Sequence, residues 1–306
     1  VSAEYHVPVL AHECVEALNL RPGGVYVDVT FGGGGHSRLI LEHAKDMDLK
    51  LFGFDQDEEA RANALPDDRF TFVAANFRHL RNHLRLYGIT QIDGLLADLG
   101  VSSHQFNQAE RGFSYRFNAD LDMRMGKTAD RTAADIVNNY EADDLQKVLG
   151  EYGEVRNART LAQAIAEARE RQPIVSIQDF LDVCDPLVRG TRPRYLAQVF
   201  QALRIEVNDE IGALTDLLAT ATDLLIPQHG RLVVISYHSL EDRITKNFLK
   251  TGNAKGEMIK DFYGNIDRPY KILTKKPVLP PADELQRNSR ARSAKMRVGE
   301  RAASTK

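Results

Sequence analysis

Long apolar stretches are missing from this sequence. The longest unbroken aliphatic run is Leu232 to Ile235, whereas a membrane-spanning helix needs about 20 predominantly apolar residues. Cysteine is scarce too. Cys14 and Cys184 stand far apart and form no CxxC, which argues against a disulfide framework and against a cysteine zinc site. The opening residues, Val1 to His12, lack the basic-then-apolar order of a secretory signal, so a reducing cytoplasm is the expected compartment. A large excess of one charge is also absent. The formal net charge is −3, which argues against a protein that coats nucleic acid over its whole surface.

What is present has the balance of a globular protein. Apolar residues are 43% and charged residues 27% of 306, and that length suits two domains at roughly 150 residues each. Charge is unevenly placed. From Arg287 to Lys306 the basic residues are Arg287, Arg290, Arg292, Lys295, Arg297, Arg301 and Lys306, against Glu300 alone. A second basic stretch, Pro186 to Ile205, carries Arg189, Arg192, Arg194 and Arg204 without a carboxylate. Both are candidate phosphate contacts, with a merely solvated surface as the alternative.

The first hundred residues alternate strand and helix signals, the pattern of an α/β fold with a parallel, doubly wound sheet. Val25 to Val29, Leu51 to Phe54, Phe70 to Val73 and Ile92 to Ala97 read as strands. His36 to His43 and Phe77 to Leu86 read as helices. From Val101 to about Val207 the apolar spacing is helical, as in Leu145, Val148, Leu149 and Tyr152, or Leu161, Ile165 and Ala168. Gly190-Thr191-Arg192-Pro193 punctuates this stretch as a loop. The α/β rhythm returns with a helix through Ile211 and Leu225, a strand at Arg231 to Ser236, and a helix at Ser239 to Lys250 opened by a Ser239–Asp242 capping box. Tyr270 to Thr274 and Ala294 to Val298 are weak strand signals that would add a hairpin at the sheet edge.

Asp28-Val29-Thr30-Phe31-Gly32-Gly33-Gly34-Gly35-His36 falls at a strand-to-helix turn. Glycines there let the backbone bend sharply and let a ligand lie against exposed N–H groups at a helix start. Asp55 ends the next strand, where a carboxylate accepts hydrogen bonds from both hydroxyls of a ribose. A dinucleotide requires GxGxxG spacing, and Gly32 to Ser37 lacks its last glycine. A class I methyltransferase instead has an acid before the loop and no pyrophosphate to hold. Asp28 stands where that acid is expected, although Thr30 replaces the usual first glycine. S-adenosylmethionine is therefore the favoured cofactor.

Asp98 ends the fourth strand, in Ala97-Asp98-Leu99-Gly100-Val101-Ser102-Ser103. Amino-group methyltransferases place an Asp/Asn-Pro-Pro-aromatic motif at this point. An exocyclic amine has its lone pair delocalised into the base and must pyramidalise before it attacks a methyl group in line. Acceptors aimed at its N–H bonds favour that geometry and help to remove the proton. The acid is kept here; the prolines and the aromatic residue are not. Asp98 is a candidate catalytic residue, with a cofactor contact or the capping of a turn as the alternative. Tyr237 and His238, after the fifth strand, are candidates for the wall of a nucleobase pocket, with helix capping as the alternative. His79 and His83 have zinc-ligand spacing but no acidic or cysteine partner pattern, so no metal site is expected. Ser102 and Ser103 lack the strand–Gly-x-Ser-x-Gly–helix context of a serine nucleophile.

Taken in order, the motifs resemble the bacterial 16S ribosomal RNA cytosine-N4 methyltransferases, the RsmH (MraW) family. They are His6-Val7-Pro8-Val9-Leu10, the Asp28–Ser37 loop, Asp98 to Ser103, Glu110-Arg111-Gly112-Phe113-Ser114 and Leu121-Asp122-Met123-Arg124-Met125. Further on come Phe200 to Asn208, Ser236 to Arg243 and Asn288 to Ser293. The resemblance runs nearly end to end, with departures such as Tyr237 where many relatives carry Phe. It implies a class I S-adenosylmethionine-dependent methyltransferase, a Rossmann-like doubly wound sheet in residues 1–102 and 207–306. It also implies an all-helical substrate-recognition domain inserted at 103–206. By the same resemblance, Gly34, Gly35, His36, Asp55, Phe77, Asp98 and Gln105 bind cofactor, with Phe77 packed on the adenine. The implied substrate is N4 of one cytidine in the decoding region of 16S ribosomal RNA, met within the small subunit. Arg192 and Arg194 are candidate substrate contacts beside Tyr237 and His238. Monomer and homodimer both stay open. Two rival functions are a nicotinamide-dependent oxidoreductase using the same loop and Asp55, and a non-catalytic RNA-binding assembly factor.

Overall fold

Apolar runs bounded by turn residues become the central strands of a parallel sheet, because such strands are covered on both faces. A computed structural model describes residues 8–100, 111–126, 130–260, 264 and 268–303. The chain divides into two units, one of residues 1–100 with 212–306 and one of residues 101–211.

The first unit is built on a seven-stranded sheet of order β3-β2-β1-β4-β5-β7-β6. Its strands are β1 (Val25–Asp28), β2 (Lys50–Asp55), β3 (Phe70–Ala74), β4 (Gly94–Asp98), β5 (Arg231–Ser236), β6 (Tyr270–Ile272) and β7 (Lys295–Arg301). Strands β1 to β5 run parallel, and β7 is antiparallel to both β5 and β6. The expected edge pair therefore forms, with β7 on its inner side. Alternation along β5 sends Val233 and Ile235 into a cluster with Cys14, Leu18, Ile40 and Met296. Leu232 and Val234, equally buried, point to the opposite face. The helices α1 (Ala11–Leu18) and α2 (Gly35–His43) cover the first face.

Local differences from the sequence reading have local causes. Ile92 makes only an isolated bridge to Leu225, so β4 begins at Gly94. Phe77–His79 is a 3-10 turn that precedes the α-helix Leu80–Leu86. The helix Ser239–Thr251 is capped by His238 rather than by a Ser239 box: His238 has extended backbone, and its Nδ1 accepts from the Glu241 N–H at 3.4 Å.

The second unit is helical among its described residues: Ala133–Asn139, Ala142–Lys147, a π-turn at Val148–Tyr152, Ala158–Arg171, Ile177–Cys184 and Arg192–Asn208. Its core contains Leu145, Val148, Leu149, Leu161, Ile165, Phe180 and Leu196, with Tyr152 and Ala168 partly buried against it. Capping boxes at Thr132–Asp135 and Ser176–Asp179 start two of the helices. The Gly190–Pro193 stretch is not wholly loop. Gly190 takes φ +81°, Thr191 is the N-cap, and Arg192 and Pro193 already lie in the first helical turn, where proline loses no hydrogen bond.

Candidate active site

Strand order reverses between β1 and β4, the point at which open α/β sheets bind ligands beyond their carboxyl ends. Three adjacent strands, β2, β1 and β4, end there in Asp55, Asp28 and Asp98. Each carboxylate has a different task. Asp28 is buried; its Oδ2 accepts from Ser37 Oγ at 2.8 Å and its Oδ1 from the Thr30 N–H at 3.1 Å. It ties the loop to the first turn of α2. Burial pushes its carboxyl up, opposed by His36 and by these donors.

Asp55 accepts the Gly32 N–H on Oδ2 and the Asp57 N–H on Oδ1, both at 2.8 Å. Burial raises it to about 6, and the two backbone donors only partly oppose that shift. Each oxygen keeps a second lone pair, so the carboxylate is suited to two further hydroxyl donors. Asn63 Nδ2 donates to the Gly32 carbonyl at 3.0 Å and steadies the same turn.

The glycines differ in their reasons. Gly34 caps α2 at φ +74°, and a Cβ there would lie 2.8 Å from the Phe31 ring, so packing and backbone both require glycine. At Gly35 a Cβ would crowd Pro8 at 3.1 Å. Gly33 has neither constraint: a Cβ there would meet nothing within 4 Å. The open space at Gly33, beside a half-buried carboxylate short of donors, fits an adenosyl group with its ribose diol. Asp28 raises the carboxyls of both Asp55 and Asp98, a negative field that favours a cation and opposes a pyrophosphate. A sulfonium cofactor fits that field; a nicotinamide dinucleotide does not.

Asp98 closes the row. Its backbone N–H donates to Thr30 Oγ1 at 2.7 Å, so the residue that replaces the first glycine locks β1 to β4. Tyr237 Oη donates to Asp98 Oδ1 at 2.8 Å, and His36 Nδ1 lies 3.8 Å from Asp98 Oδ2. The Asp98 carboxyl is raised to about 6 by burial, against the pull of His36 and the Tyr237 hydroxyl. Tyr237 itself is held neutral by burial and by that same carboxylate.

Other expected residues fall variously. Phe77 is half-buried, three residues past β3, on a turn capped by Asn76; Asn76 Nδ2 also donates to Gln56 Oε1 at 2.7 Å, beside Asp55. Gln105 lies outside the described residues, as do Ser102 and Ser103. His238 is turned inward, its side chain 7% exposed and its Nε2 3.1 Å from Glu241 Oε1. Its ring serves the first turn of its own helix and is not a free wall for a base. His83 packs edge-on against Phe54.

The basic stretches also need correction. Arg297 is buried in β7 and paired through two bonds with Asp242. Arg301 donates to the carbonyls of Thr222 and Pro269, and Arg287 pairs with Asp283. Arg297 and Arg301 are structural, because that part of the tail is a sheet strand, whereas Arg287, itself exposed, ends the helical turn Ala282–Arg287. In the helical unit Arg192 is clamped by Asp185 at 2.7 and 2.9 Å, one residue outside the basic stretch, and Arg204 by Glu210. Arg189 and Arg194 are exposed. Sequence reasoning missed Thr30, Ser37 and the Tyr237–Asp98 bond. Only the first two left a signal, as hydroxyl residues bracketing the glycine run.

The sheet order, the antiparallel β7 and the acid-lined glycine turn define a class I S-adenosylmethionine-dependent methyltransferase. A profile of the MraW methylase family matches residues 3–302. The chain belongs to that family. A ribosomal RNA small subunit methyltransferase H of Phocaeicola vulgatus is 54% identical over 298 residues, which cover 97% of each chain. The protein of the same name from Bacteroides fragilis is also 54% identical, over 97% of each chain. That from Cytophaga hutchinsonii is 53% identical over 300 residues, 97% of this chain and 99% of its own.

Proposed function

We propose that this protein methylates N4 of one cytidine in the decoding region of 16S ribosomal RNA, within the small ribosomal subunit, in the cytoplasm. The observation that carries the reading is the row of Asp55, Asp28 and Asp98 at the strand ends, where Asp28 is buried and tied to the glycine loop, while Asp98 stays 22% exposed with one oxygen held by the Tyr237 hydroxyl. The names of the relatives support ribosomal RNA as the substrate class.

In this reading the backbone of Gly34, Gly35 and His36 and the Asp55 carboxylate hold the adenosyl group, Phe77 packs on its adenine, and Asp98 and Gln105 complete the pocket. S-adenosylmethionine supplies a methyl group on a positively charged sulfur. The protein's own contribution is orientation and proton removal. Tyr237 fixes one oxygen of Asp98, leaving the other to accept from the target amine, which favours a pyramidal nitrogen. The helical domain, residues 103–206 by the sequence reading, grips RNA phosphates through Arg189 and Arg194, with Arg192 a weaker contact because Asp185 neutralises it. The exposed arginines suit an RNA backbone better than a small metabolite.

Small subunits from cells lacking the protein, incubated with it and methyl-labelled donor, test the reading. Nucleoside mass spectrometry is expected to find the label as N4-methylcytidine in 16S RNA. Label on another atom, or none, overturns it.

A further inference from the structure

His36 sits in the first turn of α2 with its side chain 6% exposed. Its Nε2 lies 2.9 Å from the Val9 carbonyl oxygen. A carbonyl can only accept, so Nε2 carries the ring hydrogen, and Nδ1 of the neutral ring is a bare acceptor. That acceptor faces Asp98 Oδ2 at 3.8 Å. Two acceptors gain nothing from facing one another; the arrangement becomes favourable when one proton joins them. Asp98 Oδ1 is already occupied by the Tyr237 hydroxyl, so Oδ2 and Nδ1 are the free ends of the pair.

We propose that His36 is a positioning residue for methyl transfer, sharing with Asp98 the proton released by the target amine. The inference rests on the reading of Asp98 as the acceptor for that amine. As the N–C bond forms, the C–S bond breaks and its electron pair stays on sulfur. The amine nitrogen then bears one proton too many. That proton passes to Asp98 Oδ2 and is held between Oδ2 and His36 Nδ1, until solvent removes it. The groups facing the pair are Asp28 from β1, Tyr237 after β5, Glu241 from the helix Ser239–Thr251, and the Cys14 thiol from α1. None of these is cationic, and the carboxylates of Asp28 and Glu241 attract a transient imidazolium while Tyr237 and Cys14 stay neutral. Burial raises the Asp98 carboxyl to about 6, which suits a proton acceptor near neutral pH.

Nitrogen-15 NMR of histidine-labelled, cofactor-free protein tests the pair without turnover. The expected spectrum shows His36 as the Nε2–H tautomer, with an Nδ1 resonance that moves in Asp98→Asn. An Nδ1–H tautomer, or an unmoved resonance, overturns the proposal. A second arm uses His36→Gln, whose amide keeps a donor for the Val9 carbonyl. With cofactor affinity retained, the acid limb of its kcat profile is expected to move to lower pH, because the first proton then has a single site. A reduced rate with an unchanged profile would mark a purely structural role and overturn the pair. If Asp98→Asn abolishes transfer while the His36 Nδ1 resonance stays in place, the pair fails and Asp98 stands. If the resonance moves but Asp98→Asn transfers methyl normally, the pair's catalytic role and the reading of Asp98 fail together.

Discussion

Asp98 shows how one residue can be costly to the fold and useful to the site. Its side chain is 22% exposed, yet its carboxyl is lifted from 3.8 to about 6 by burial. The folded chain therefore keeps a proton that the unfolded chain releases between those values. The stabilising contribution is complete below about pH 4 and is lost as pH rises through about 6, where the native state must bury a charge. Asp98→Asn removes that charge while preserving an acceptor for Tyr237. The variant is expected to be more stable than the parent by about 1–3 kcal/mol at pH 8, and to match it near pH 4. Urea unfolding at the two pH values measures this; a gain that does not depend on pH would show that charge burial is not its source. The acid was legible in the sequence from its place at a strand end. Its partners were not, because Tyr237 lies 139 positions away.

Strand β7 makes the same point for an element. Its run of basic residues invites a phosphate-binding reading, but the strand lies between β5 and β6, and its arginines are spent within the fold. Arg297 donates to both oxygens of Asp242 at 2.6 and 3.2 Å, and Lys295 stands farther off at 3.7 Å. Arg297→Ala leaves Asp242 without its main partner, and breaking a buried pair costs about 3–5 kcal/mol. A loss near the lower end is expected, since Lys295 remains. Calorimetric unfolding checks it, and a loss under about 1 kcal/mol would show the pair to be dispensable. Charge counting misjudged the strand because the neutralising acid comes from another element.

For the molecule as a whole, the proposed grip on RNA would depend on cations that the fold leaves exposed, Arg189 and Arg194. Replacing Arg189 and Arg194 together by alanine is expected to reduce the slope of log affinity against log salt by about 1.4, from roughly 0.7 per single-strand phosphate contact. Arg192→Ala is expected to change it less, because Asp185 already holds that guanidinium. Filter binding of small-subunit RNA across a salt series decides; equal slopes for all variants would remove this helix start from the interface.

The strands, the glycine turn and the acids at the strand ends were readable from residue order, because hydrophobic period, turn chemistry and strand-end position act over a few residues. The helical rhythm of the second unit was readable for the same reason. Only the folded chain decided which cations remain exposed, that His238 caps a helix, and that Tyr237 and His36 converge on Asp98. Those outcomes depend on groups brought within a few ångströms from distant parts of the sequence, where hydrogen-bond geometry and desolvation take over from local preference.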